Sequence, residues 1–167
     1  NEALTTDRAN PFWTANEDPA ESIPFIIAAI RETAEECGVF LATDENQNHV
    51  SPKLAQDLFT KLKDGTSFAN LMQLHGLQPC LHDCTPFSWW VTPEDEPRRY
   101  DTRFFAAVVP EGQRAGFDEH EVVDGAWFTP ESALAAYQEG SILLAPPTFA
   151  TLEDLRGIRT FEDLQTR

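Results

Sequence analysis

The chain has 167 residues, which is enough for one domain with a hydrophobic core and too few for two domains of ordinary size. Its formal net charge of -16 argues against nucleic acid or an anionic membrane as a partner, because both would repel it. No apolar run approaches the length of a membrane span, so the sequence predicts a soluble, cytoplasmic protein, by default a bacterial one.

The first predicted elements are a polar segment and an amphipathic helix. Residues 1–17 predict a loop or insertion arm, and 18–21 resemble a capping box with proline at the first helical position. Pro24 would remove a backbone hydrogen bond one turn further on, so we expect the main helix to begin near Ser22. Gly38 is a natural residue to end it. Apolar residues at helical spacing predict the buried face of this helix: Ile23, Ile26, Ile27, Ile30, Ala34 and Cys37.

The remaining predicted elements are two helices, three strands and two further helices. They are, in chain order, helices at 51–65 and 66–75, strands at 87–91, 99–109 and 121–128, and helices at 130–139 and from 146 onward. We expect the two helices within 51–76 to form an insertion in a single domain that spans 1–167.

Three carboxylates lie on one face of the first helix, at Glu32, Glu35 and Glu36. Such close like charges are unfavourable unless a cation lies between them, and carboxylate oxygens are the ligands that Mg²⁺ or Mn²⁺ prefers. Acids in the last helical turn also oppose the helix dipole, with no compensation visible in the sequence. The alternative is a solvated acidic surface in a chain that has 28 acidic residues.

The segment 31–39 reads Arg-Glu-Thr-Ala-Glu-Glu-Cys-Gly-Val and resembles the second half of the Nudix hydrolase signature. Further stretches resemble the peroxisomal coenzyme A diphosphatase branch of that superfamily, in which an insertion separates the two halves of the signature. These stretches lie at 90–93, 98–105 and 118–127. The resemblance implies an α/β/α sandwich around a mixed sheet, bound Mg²⁺ or Mn²⁺, and structural roles for Arg31 and Gly38.

The first half of the signature has no counterpart. Ile23 stands where its glutamate would fall, and no glycine precedes Gly38. The strands that usually precede the signature helix also have no match in residues 1–20, so the chain is either a fragment of a longer product or a shortened relative. We expect the fragment, because a stable domain must cover its sheet edges. A homodimer could also complete the sheet.

A candidate general base lies in the loop 118–121, just before a predicted strand. A carboxylate near a bound metal ion could accept a proton from the attacking water. Glu121 is the first choice for this base and Glu119 is the second. Glu35 and Glu36 on the helix are further catalytic candidates. An ordinary polar turn is the alternative.

Positive charge for an anionic substrate is predicted on the strand that begins at Arg99. Alternation places Arg99, Asp101 and Arg103 on one face, and arginine forks match phosphate oxygens. Surface ion pairs with Asp101 and Glu96 are the alternative. Phe25, on the acidic face of the helix, is a further candidate for substrate contact.

The chain has three cysteines, too few for a disulfide framework, so we expect reduced thiols. His75, Cys80, His82 and Cys84 are close in sequence, but their spacing is not that of a zinc finger. A turn with reduced thiols and surface histidines is therefore preferred to a zinc site.

The functional hypothesis is metal-dependent hydrolysis of a nucleoside diphosphate linked to another group, with coenzyme A or an acyl derivative implied by the resemblance. A Nudix-like domain that binds a nucleotide or a protein without hydrolysis is the competing hypothesis. A purely structural acidic domain is the third.

Overall fold

The computed structural model describes residues 19–95, 97–116 and 126–165. They fall into two compact units. The helical unit contains the described residues 19–85 and 105–116, and the hairpin unit contains 86–95, 97–104 and 126–165. The predicted arm at 1–17 lies outside the described residues.

Helix α1 spans Pro19–Cys37 and contains Pro24. The prediction that the main helix begins near Ser22 was therefore too late. A proline removes one backbone hydrogen bond, here near the amino end of a 19-residue helix, and the bonds on either side are enough to continue it. The predicted end is confirmed, since Gly38 has φ 67° and its amide donates to the Ala34 carbonyl oxygen at 3.1 Å.

The apolar face of α1 is buried only over its carboxyl half. Ile30 and Ala34 are fully buried, and Ile26 and Cys37 pack against the same core. Ile23 and Ile27 are 39% and 40% exposed, so their predicted burial is not observed. The core of the helical unit is therefore centred on the last turns of α1, directly behind the acidic residues.

Two further helices pack on α1. Helix α2 spans Pro52–Lys63 and α3 spans Phe68–Leu74, each slightly shorter than predicted. The side chains of Ser51 and Ser67 accept hydrogen bonds from backbone amides of the first helical turn, as N-cap serines do. Leu58 and Leu71 are fully buried in the core that also contains Ile30. Whether 51–76 is an insertion stays a prediction.

A small antiparallel sheet joins two loops of the helical unit. Strand β1 (Ala42–Thr43) pairs with β2 (Gln78–Pro79), and a 3₁₀ turn at Leu81–Asp83 follows. None of these short elements is predicted by the sequence pattern. Within the described residues no helix is long and apolar enough to cross a membrane.

Gln113 links the loop after the hairpin to the core. Its amide nitrogen donates to the carbonyl oxygens of Phe40 and Val50, and its Oε1 accepts from the Phe40 amide at 2.9 Å. Gln113 is 7% exposed, so its side chain satisfies the hydrogen bonding of three backbone groups in a buried environment.

The hairpin unit contains most of two paired strands, β3 (Thr85–Val91) and β4 (Asp101–Ala106). Three helices follow: α4 (Pro130–Gln138), α5 (Pro146–Asp154) and α6 (Phe161–Gln165). Of the strand predicted at 121–128, residues 121–125 lie outside the described part and 126–128 form no strand, which corrects that part. The α/β class is confirmed, with the described strands in two two-stranded sheets.

Candidate active site

The three glutamates of the signature segment lie on the last two turns of α1. Glu32 and Glu36 are exposed and Glu35 is half-buried. The Arg31 guanidinium pairs with two of them, through Nη2 to Glu32 Oε1 at 2.8 Å and through Nε to Glu35 Oε2 at 3.5 Å. The helix therefore presents a surface rich in carboxylates, two of which pair with Arg31.

The acidic end of α1 has a compensating charge that the sequence pattern did not reveal. The helix has no basic residue in its own last turn, but Lys63 Nζ, at the end of α2, donates to the Glu35 carbonyl oxygen at 3.1 Å. A cation on a terminal carbonyl offsets the negative end of the helix dipole. The compensation that is not visible in the local sequence therefore comes from a residue of α2.

Gly38 allows a close approach of α2 to the end of α1. A Cβ atom at this position would come within 2.9 Å of Phe59 Cγ, and the positive φ of Gly38 is disfavoured for residues with a side chain. Lys63 Nζ lies 4.9 Å from the centroid of the same Phe59 ring. The close packing of Phe59 against the end of α1 therefore favours a residue without a side chain at this position.

A cavity of about 490 Å³ opens next to Gly38. It contains two exposed cations, Lys53 and Arg114, and a wall of small residues that includes Gly112 and Gly116. The Gly116 amide donates to the Cys37 carbonyl oxygen at 2.8 Å, which fixes this loop to the end of α1. Neither cation is predicted by the sequence, because neither belongs to a recognisable motif.

The other predicted site residues have different surroundings. Glu119 and Glu121 lie outside the described residues. Phe25 is half-buried on α1. Arg99 and Arg103 belong to the hairpin unit, whereas the glutamates belong to the helical unit.

Arg103 is held by neighbours in the hairpin unit. Its guanidinium carbon lies 4.4 Å from the centroid of the Trp89 ring, and its Nε lies 3.6 Å from Asp101 Oδ1. Only 10% of its side chain is exposed. Arg99 Nε donates to the Thr92 carbonyl oxygen at 3.1 Å. The predicted common face of Asp101 and Arg103 is observed, together with the ion pair that was its alternative reading.

A second cavity, of about 430 Å³, lies in the hairpin unit. Its walls are mostly apolar and come from β3, β4 and the start of α5, with Arg98 as their basic residue. Tyr100, which is 62% exposed, also lines it.

All three cysteines are free, as expected. Burial raises the pKa of the Cys84 thiol to about 11 and also raises the pKa of Cys37 and Cys80, which disfavours thiolates. The four residues weighed as a zinc site are not brought together among the described residues. The side chains of metal-ligating type that do lie close together there are His49, Cys80 and Asp83.

Comparison with known proteins identifies the family. Residues 5–155 match the family described as the NUDT19 Nudix domain. Two proteins named acyl-coenzyme A diphosphatase NUDT19, from Homo sapiens and Xenopus laevis, are each 32% identical to this chain over 157 and 171 residues. The matches cover 86% and 89% of this chain but 42% and 45% of those relatives, so the chain spans less than half of their length.

A solved structure shows the same fold. It is a crystal structure of a Nudix hydrolase from Alicyclobacillus acidocaldarius, with a TM-score of 0.71 and 27% sequence identity, covering 92% of this chain and 69% of that one. This chain belongs to the NUDT19 Nudix domain family, within the coenzyme A diphosphatase-like branch of the Nudix superfamily.

Proposed function

We propose that this chain carries the site of a metal-dependent Nudix hydrolase that cleaves the diphosphate of coenzyme A or an acyl-coenzyme A. The observation that carries the proposal is the carboxylate surface of Glu32, Glu35 and Glu36 on α1, which ends at Gly38 on the wall of a cavity with two cations. Membership of the family and the names of the relatives support the substrate class.

The donor set of α1 fits a hard divalent ion. Glu32 and Glu36 offer exposed carboxylate oxygens, and Glu35 adds a half-buried one, which suits Mg²⁺ or Mn²⁺. The three carboxylates do not form a converged group within the described part of the chain, and Arg31 pairs with two of them. Binding of the ion would therefore require Glu32 and Glu35 to break their ion pairs with Arg31. When bound, the ion supplies an activated water and neutralises phosphate charge.

The cavity beside Gly38 supplies positive charge for an anionic substrate. Lys53 and Arg114 give it two positive charges on a chain whose net charge is -16. Coenzyme A carries a ribose phosphate in addition to its diphosphate, so its recognition needs a cation beyond those that neutralise the diphosphate. We assign Lys53 and Arg114 to the binding of substrate phosphate.

Several roles stay predictions of the sequence. They are the general base at Glu121, Glu119, Glu35 or Glu36, and substrate contact by Arg103, Arg99 or Phe25. The cytoplasmic location, the single-domain organisation, and a homodimer or upstream segment are also in this group.

Replacement of Glu36 by Gln tests the proposal. We expect E36Q to lose Mg²⁺-dependent release of the two phosphorylated products from coenzyme A, because it removes one anionic ligand while leaving the apolar face of α1 intact. E45Q is the matched control, since Glu45 is exposed in a turn of the same unit, outside the signature. Activity retained in E36Q at the level of E45Q would contradict the assignment.

A second function is favoured by one observation: Ile23 replaces the early glutamate of the signature. A Nudix-like domain that binds a nucleotide without cleaving it would tolerate this change. Calorimetry with Mg²⁺ and coenzyme A, followed by product analysis, separates the two functions, because binding without products supports the second.

A further inference from the structure

The helical unit brings together a histidine, a cysteine and an aspartate that the signature does not include. One ligand atom from each of His49, Cys80 and Asp83 lies within 4.8 Å of the other two. We propose that these three side chains bind one transition-metal ion of the zinc type, at a site separate from the glutamates of α1. This proposal does not depend on the hydrolase function.

His49 is held in place by the backbone of β1. It forms an isolated antiparallel bridge with Thr43, and the loop between them is closed by the Asp44 amide, which donates to the Asn48 carbonyl oxygen at 2.9 Å. The Asp44 carboxylate also accepts from the amides of Asn46 and Asn48, each at 2.9 Å. The histidine is therefore carried by a fixed turn.

Cys80 and Asp83 are placed by the 3₁₀ turn that follows β2. The Cys80 amide donates to the Leu41 carbonyl oxygen at 3.0 Å, and the Asp83 amide donates to the Cys80 carbonyl oxygen at 3.1 Å. Cys80 is the N-cap residue of this turn and Asp83 is its last residue, so the turn keeps the thiol and the carboxylate in one group. Two of the three ligands are thus anchored next to β1, as His49 is.

The distances are close to those that a metal ion requires. Zn²⁺ with bonds of about 2.0–2.3 Å in tetrahedral geometry places its ligands roughly 3.5 Å apart. His49 Nε2 already lies 3.9 Å from Asp83 Oδ2. The shift needed to close the group is on the order of 1 Å, within reach of side-chain rotation.

The chemistry of the group selects the metal. The Cys80 sulfur and a carboxylate oxygen of Asp83 lie within 4.8 Å of each other. A bound ion would take the place of the thiol proton, which leaves to solvent, so the thiolate and carboxylate become ligands together. Thiolate and imidazole favour Zn²⁺ or Co²⁺ over Mg²⁺. Cys80 is 2% exposed, whereas half of the His49 side chain is exposed and gives the ion access.

Cobalt titration of the whole chain tests the proposal. With Mg²⁺ in excess to occupy oxygen sites, we expect Co²⁺ to produce the ultraviolet charge-transfer band of a cobalt–thiolate bond, saturating at one ion per chain and displaced by Zn²⁺. C80S should abolish the band. H49Q should weaken Co²⁺ binding by at least about tenfold, because the loss of a direct ligand costs no less than the loss of a supporting partner.

Matched variants separate this site from other thiols and histidines. C37S, H75Q and E36Q should keep the band at unchanged affinity, since none of these residues belongs to the group. His49 is half exposed, so H49Q is informative even if C80S fails to fold. Absence of the band in the unmodified chain would overturn the proposal. So would an unchanged affinity in H49Q.

Discussion

The cations beside the cavity of the helical unit and Arg103 of the hairpin unit differ in exposure. In the helical unit, Glu32, Glu36, Lys53 and Arg114 are exposed at the end of α1 and beside its cavity. In the hairpin unit, Arg103 is 10% exposed and lies between Trp89 and Asp101. An exposed charge can bind a ligand at little cost, whereas an enclosed one must first give up its partners. The spacing of charged residues along the chain therefore does not show which of them are exposed to a ligand and which are enclosed by other side chains.

Among the variants that test this comparison, the largest effect is expected from the exposed cations of the helical unit. We expect the double variant K53Q/R114Q to raise the KM for coenzyme A about a hundredfold, because each charged hydrogen bond to phosphate contributes about 1.5 kcal/mol or more. Steady-state kinetics measures it, with K61Q as the control, since Lys61 is exposed outside the cavity. A KM equal to that of K61Q would remove the cavity from the substrate site.

Gln113 tests whether the loop that carries Arg114 is positioned by the core. We expect Q113A to lower the free energy of unfolding by about 2 kcal/mol, because it removes the partner of three backbone groups at Phe40 and Val50. Urea unfolding measures the loss. Q73A, at an exposed position of α3, should change stability by less than about 0.5 kcal/mol. Equal stability of the two variants would show that the loop is held by other contacts.

Arg103 tests the hairpin side of the comparison. We expect R103Q to lower the free energy of unfolding by about 1 kcal/mol through loss of the contact with Trp89, and to leave the KM within about twofold. R98Q is the control for stability, because Arg98 is exposed. A tenfold rise in KM with unchanged stability would instead support the substrate contact that the sequence predicts.

The smallest effect is a pH dependence in the hairpin unit. The Gly157 amide donates to Glu131 Oε1 at 3.1 Å, which lowers the pKa of this carboxyl below its usual 4.5. The folded pKa is below the unfolded one, so the carboxylate contributes stability above about pH 4.5 and loses it as the pH falls through the folded pKa. E131Q should therefore be slightly less stable than the parent at neutral pH and equal to it in acid. A loss of stability in E131Q that persists in acid would contradict this pH dependence. So would an equal loss in E94Q, the control variant at the exposed Glu94.

Much of the helical unit could be predicted because its signals are local. The end of α1 at Gly38, the two helices that follow it, and the shared face of the glutamates all depend on residues within one or two turns. The start of α1 was predicted too late because Pro24 removes only one backbone hydrogen bond. This loss is not enough to end the helix.

The sequence by itself determined the family resemblance, the acidic surface of α1 and the glycine that ends it. Only the tertiary structure decided which partners come from distant segments of the chain. Lys63 reaches the Glu35 carbonyl from 28 residues away, Gln113 reaches Phe40 from 73 residues away, and His49 meets Cys80 across β1 and β2. The physical reason is that a side chain's partner depends on how distant segments pack, and a spacing of residues along the chain does not record this.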